Sequence, residues 1–302
     1  MVKVKQIMKK FEMKALNPEH ADYEKQVLAP SIHRMGLELT GAAPANSRGN
    51  VIGWGTRESM YLSSLSKEEA IKNLDRVITD STPAIILSKG VSQEVVDLII
   101  PEANKHKTAV FQKEDMHLAT INMNIGWYII KHFAPKESVH GSLVIMNGLG
   151  VMIIGESGIG KSEAVLELIQ RGHLFVSDDT VFVKKIGTEF FGEPSPITKG
   201  YLEARGMGLI DVPSVYGLKS VKDKTIINLV IELVGEKDLN NVDRLGTDDL
   251  SYEILGGKIK KMQLPLKTGR SLSSLIEAAT NLFTTRVNGV ANPLDEMIRR
   301  RD

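Results

Sequence analysis

The run Gly155-Glu156-Ser157-Gly158-Ile159-Gly160-Lys161-Ser162 fits the pattern GxxxxGK[ST]. These residue types at this spacing suit one chemistry, the holding of a phosphate. Glycines let the backbone curl until successive N–H groups face an anion. A helix that starts at the end of the loop adds the positive end of its dipole. Lys161 can then reach the β- and γ-phosphates of a nucleotide, and the Ser162 hydroxyl can ligate Mg²⁺. The competing reading is a glycine turn that only joins a strand to a helix.

Downstream, Asp178-Asp179 follows the strand-like Leu174-Phe175-Val176. Two adjacent carboxylates at the end of a buried strand are costly unless paired or bound to a cation. One can take a proton from an attacking hydroxyl while the other holds metal or water. A solvated Asp-Asp turn is the alternative, and the phosphate loop just upstream favours the catalytic reading. Between Glu203 and Asp211 lie an acid, a base and glycines, in a loop where Glu203 is a plausible oxygen ligand for Mg²⁺. A charged surface loop accounts for the same residues. His140-Gly141 and Pro265 to Arg270 are further candidates, the latter for its cations.

Other chemistries are excluded. The seven histidines form no HExxH or other metal spacing. There is no cysteine, hence no disulfide, thiolate zinc site or cysteine nucleophile. The HRDxxxxN and DFG signatures of eukaryotic-type protein kinases are missing. No GxGxxG with a later acid supports a dinucleotide fold.

These residues need elements to position them. A length of 302 residues suggests two domains, and 42% hydrophobic with 25% charged residues is ordinary for a folded chain. The net charge of +1 argues against a broad nucleic-acid surface or a polybasic membrane face. No apolar run is long enough to span a bilayer, no leader with an apolar h-region opens the chain, and the absence of cysteine fits a cytoplasmic location. The expected class is α/β, a small N-terminal α/β domain over 1–134 followed by a phosphate-loop kinase domain over 135–302, with Pro135–Ser138 as the boundary.

In the first domain, Ser66 to Glu69 reads as a capping box opening a helix with Ala70, Ile71, Leu74, Val77 and Ile78 on its apolar face, ended by Pro83. A strand over Ala84–Leu87, a helix over Gln93–Ile100, a strand over Thr108–Phe111 and a helix over Met116–Phe133 follow. In the second, strands over Leu143–Met146 and Val151–Ile154 join through a turn at Asn147-Gly148. A helix over about Gly160–Arg171, a long β run over Thr225–Val234 and helices over Ser271–Arg286 and Asn292–Arg301 complete the reading.

The segment His140 to Val181, HGSLVIMNGLGVMIIGESGIGKSEAVLELIQRGHLFVSDDTV, resembles the core of the bacterial HPr kinase/phosphorylase family. EARGMGLIDVPSVYG from Glu203, Asp243-Arg244-Leu245-Gly246 and GLELTG from Gly36 are similar to other segments of that family, in the same order. The resemblance spans most of the chain. It implies that Gly155 to Ser162 bind the phosphates of ATP, with Lys161 on the β/γ oxygens, and that Ser162 and Glu203 hold Mg²⁺. It implies that Asp179 is the base toward a serine of HPr, the small carrier of the sugar phosphotransferase system. His140 is placed beside the reacting phosphate and Arg244 against developing charge.

The family runs in both directions. ATP phosphorylates the serine, and inorganic phosphate attacks phosphoserine to release pyrophosphate. A homohexamer stimulated by fructose 1,6-bisphosphate is also implied, with a role in carbon catabolite repression. One departure stands out. The family's PVRPGR is here PLKTGR, so Lys267 loses the planar fork of arginine and Thr268 replaces a stiffening proline. The expected consequence is intact kinase activity and weaker phosphorolysis. The rivals are a phosphate-loop kinase of a small metabolite and a nucleotide-gated scaffold without a base.

Overall fold

The computed structural model describes residues 2–44, 49–235, 250–266 and 271–287. The chain forms two compact units, 1–134 and 135–302.

In the first unit the strands Ile32–His33, Val51–Trp54, Ala84–Ser88 and Ala109–Lys113 lie side by side in that order, all parallel. Such a sheet is covered on both faces, so its strands are apolar throughout and successive residues go to opposite layers. Ile52, Trp54, Ile85, Leu87 and Val110 pack with helices Lys67–Val77 and Gln93–Lys105. Val51, Ala84, Ile86, Ala109 and Phe111 pack with Ile121, Ile125 and Ile129 on the other side.

Ser66 caps its helix as its spacing implies: Glu69 N donates to Ser66 Oγ and Ser66 N donates to the Glu69 carboxylate, both at 3.3 Å. Four expectations are corrected. Ile71 is 36% exposed while Ala70, Leu74, Val77 and Ile78 are buried; one residue beyond Ala70 turns it about 100° off the buried stripe. The helix stops at Val77, five residues short of the proline's neighbour, because Ile78 is already extended. The next helix runs through Pro101 to Lys105, since Glu102 and Ala103 still bury there. The segment before Phe133 begins at Leu118 and contains a wider turn over Asn122–Gly126.

The second unit is built on a mixed sheet. Its centre is parallel: Leu149–Gly155, Thr225–Val234 and Gly257–Pro265. Ser142–Met146 hairpins onto Leu149–Gly155 through Asn147 and Gly148, both at positive φ, and Leu174–Ser177 adds outside it. From the start of Thr225–Val234 the sheet continues through Glu189–Pro194 and Thr180–Ile186 to Lys136–His140. Residues 136–138, read from sequence as a boundary, therefore begin an edge strand. Only Val139 is buried in it, and charges are tolerated on an edge, so the run looks like a linker.

Val151, Ile153, Leu229 and Ile231 pack under helix Lys161–Gln170 and against Ile276 of helix Leu272–Val287. Met152 and Val230, on the opposite face, meet Leu143, Val176, Val181 and Val183. Arg244, the 267–270 cations and the expected helix 292–301 lie outside the described residues. No described helix is long and apolar enough to cross a membrane.

Candidate active site

The phosphate loop connects strand Leu149–Gly155 to helix Lys161–Gln170. Gly158 and Gly160 sit at φ +81° and +101°, the left-handed region that a side chain disfavours. Ile159 leaves the loop to pack against the core, which pins the curl from beneath. Lys161 is only 7% exposed, and its Nζ donates to the carbonyls of Gly155 (2.8 Å) and Glu156 (2.9 Å). The lysine thus braces its own loop. Burial pushes its ammonium below the usual lysine value, and the nearby Asp178 and Asp179 charges act in the opposite sense.

His140 ends the edge strand, paired with Thr180. Next to it, a Cβ on Gly141 would lie 2.6 Å from the Ile153 carbonyl, so a glycine is what lets the chain cross tight against the phosphate-loop strand. Gly141 N donates to Asp179 O at 3.0 Å, and His140 Nδ1 is 3.4 Å from Asp179 Oδ1.

The two aspartates are not equivalent. Asp178 is 3% exposed and accepts from the Ser142 hydroxyl at 2.6 Å. The Asp179 side chain is 67% exposed, with its backbone at φ +64°. That turn is held by Thr180 N donating to Asp178 O and by the Ser177 hydroxyl donating to Thr180 O. Such a left-handed aspartate costs energy that the surrounding bonds offset.

Glu203 is on a strand rather than on a glycine loop. Tyr201–Ala204 and Gly208–Asp211 form a hairpin, with only residues 205–207 turning. Leu202 and Ala204 are buried in the core, so Glu203 points the other way by strand alternation.

His140, Ser157, Gly158, Gly160, Lys161, Ser162, Asp178, Asp179 and Glu203 line one cleft of about 180 Å³. Glu163 and Arg205 line it too. Gly155 and Glu156 contribute carbonyls to Lys161, and Ile159 faces the core. Arg205, the base noted in sequence between Glu203 and Asp211, is the first residue of the turn and reaches the same cleft as Glu203.

The donors fit a magnesium ion. Ser162, Asp178, Asp179 and Glu203 present oxygen, and Mg²⁺ is held by one or two carboxylates together with substrate phosphates and waters.

The cleft combines a phosphate cradle, an exposed carboxylate beside an imidazole and hard-oxygen donors, a set suited to phosphoryl transfer. Residues 131–301 match the family model described as HPr Serine kinase C-terminal domain, and residues 2–129 match HPr Serine kinase N terminus. The HPr kinase/phosphorylase of Mycoplasmopsis pulmonis is 43% identical over 95% of this chain and 93% of its own length. That of Clostridium novyi is 37% identical over 99% and 98%. The solved HPr(Ser) kinase/phosphatase of Coxiella burnetii is 33% identical, covers 51% of this chain and 93% of its own, and superposes with a TM-score of 0.48. Two family models that together take in nearly the whole chain, and relatives this similar along their full length, make the chain a member of the HPr kinase/phosphorylase family.

Proposed function

We propose that this enzyme phosphorylates a serine of HPr with ATP and reverses that reaction with inorganic phosphate, releasing pyrophosphate. The observation that supports it most is the meeting of the phosphate loop, the His140–Asp179 pair and Glu203 in one cleft.

In the forward direction the loop from Gly155 to Ser162 holds the nucleotide phosphates, with Lys161 turning from its own carbonyls to the β/γ oxygens. Ser162 and Glu203 would hold Mg²⁺, which supplies positive charge against the phosphate oxygens. Asp179, exposed in the cleft, takes the serine proton as the serine oxygen bonds to the γ-phosphorus and the bond to the ADP oxygen breaks. His140 sits beside Asp179 and orients it. In reverse, a phosphate oxygen attacks the phosphoserine phosphorus. Asp179 then returns its proton to the departing serine oxygen, as microscopic reversibility requires. Arg244 counters developing charge, and Lys267 and Arg270 serve the reverse reaction, where two anions must approach each other.

The reading includes a homohexamer in the cytoplasm, stimulation by fructose 1,6-bisphosphate, a part in carbon catabolite repression, and assembly or regulation as the work of residues 1–134. The test is to incubate the protein with ATP, Mg²⁺ and HPr, follow the mass of HPr, then add phosphate and measure pyrophosphate. A gain of one phosphate on serine that phosphate reverses is the expected result. Slow reversal matches the altered 265–270 loop. No gain with ATP bound rejects the HPr reading and favours a small-molecule acceptor.

A further inference from the structure

Arg205 is the base that the sequence reading noted between Glu203 and Asp211 without giving it a role of its own. Strand alternation puts Glu203 on the cleft side of the hairpin, with Leu202 and Ala204 anchored in the core behind it. Two residues on, at the turn, Arg205 reaches the same cleft. Its guanidinium lies on the apex of the phosphate loop: a Cβ on Gly158 would come within 2.7 Å of Nη2. Gly158 therefore leaves the room that Arg205 uses.

Arg205 also differs from its neighbours in being unengaged. Among the described residues it makes no hydrogen bond or ion pair, whereas Lys161 is bonded to two carbonyls. Four cleft carboxylates, Glu163, Asp178, Asp179 and Glu203, line the same space, and none of them is bonded to it. An arginine held over a phosphate cradle without a protein partner has its five donors available for phosphate oxygens, which match its fork bidentately.

We propose that Arg205 is a catalytic residue that donates hydrogen bonds to the equatorial oxygens of the phosphoryl group in flight. The inference rests on the phosphoryl-transfer reading above. As the serine oxygen bonds to phosphorus and the ADP oxygen leaves, negative charge on the oxygens between them is met by the guanidinium. Arg205 gives up no proton, since that path ends on Asp179. Because the hairpin carries Glu203 on its strand and Arg205 at its turn, one element delivers a metal ligand and a transition-state cation to the same cleft.

The experiment compares wild type with Arg205→Gln and Arg205→Lys. It reads kcat and KM for HPr phosphorylation, and the affinity for Mg·ADP with and without aluminium fluoride, a mimic of the phosphoryl group in flight. Arg205→Gln is expected to lower kcat by about a hundredfold or more while Mg·ADP affinity stays within about threefold. The tightening of ADP binding by fluoride is lost. Arg205→Lys keeps the charge without the fork and falls between. Free guanidinium added to an Arg205→Ala enzyme is expected to restore part of the rate. Unchanged kcat, a kcat loss matched by an equal loss of ADP affinity, or retained tightening by fluoride in Arg205→Gln overturns the proposal. Should the wild type fail to phosphorylate HPr, the proposed acceptor falls. The fluoride arm, which needs no HPr, still decides the role of Arg205.

Discussion

The Ser142 hydroxyl donates to Asp178 Oδ1 across 2.6 Å, with both side chains buried. Asp178 is thereby fixed at the floor of the cleft while its neighbour Asp179 faces the solvent. Removing the donor leaves a buried carboxylate short of a partner, which costs about 1–3 kcal/mol. Ser142→Ala is expected to lower stability by that amount in chemical denaturation and to slow transfer. Ser142→Thr, which retains the hydroxyl, is expected to recover most of the rate. A Ser142→Ala enzyme as stable and as fast as wild type would show that the bond is incidental.

Gly158 adopts φ +81° against Arg205. An alanine there pays about 1–2 kcal/mol in backbone strain and pushes the guanidinium aside. Gly158→Ala is expected to reduce kcat at least tenfold with a modest loss of thermal stability. Gly187→Ala, also at positive φ but with open space around it, is the control and is expected to lose only stability.

Burial lowers the pKa of Lys161 from the ordinary 10.5. The folded state therefore binds this proton less tightly than the unfolded chain. Its contribution favours folding above the unfolded value and is lost as pH falls through the folded value. Phosphate binding needs the ammonium, so the sign for ligand is opposite: ADP affinity of the free enzyme is expected to fall with rising pH along a limb below 10.5. A titration of ADP affinity against pH checks this. In Lys161→Met the affinity is expected to be lower throughout and that limb absent.

The helix Lys67–Val77 offers a stability test. Leu74 is fully buried and Ile71 is partly exposed. Leu74→Ala is expected to cost about 2–5 kcal/mol, and Ile71→Ala to stay within about 0.5 kcal/mol. Urea denaturation of the full chain separates the two. Equal losses would contradict the packing described.

Much of the site was legible because its chemistry is local in sequence. The phosphate loop, Asp178-Asp179 and Glu203 are each short motifs whose residue types suggest a task, and the structure brings them to one cleft. What distinguishes Asp178 from Asp179 was not legible, because it depends on Ser142, which lies 36 residues away and meets Asp178 through strand pairing. A place for Arg205 in the cleft was not legible, because an arginine followed by Gly206 reads as a solvated turn until the hairpin register is known. In the fold, buried parallel strands showed as apolar runs, whereas the edge strand Lys136–His140 showed as a linker because one residue in five is buried. The helix through Pro101 ran past an ordinary stop signal because tertiary burial of Ala103 outweighs one lost backbone bond.

The central claim is that Asp179 turns a phosphate-binding cleft into a serine kinase. It is tested most directly by following HPr serine phosphorylation with wild type and Asp179→Asn, with ATP binding measured on the same samples. The account predicts one phosphate on serine with wild type, and a rate at least about a hundredfold lower with Asp179→Asn at unchanged ATP affinity. Asp179→Asn phosphorylating HPr at the wild-type rate would contradict it.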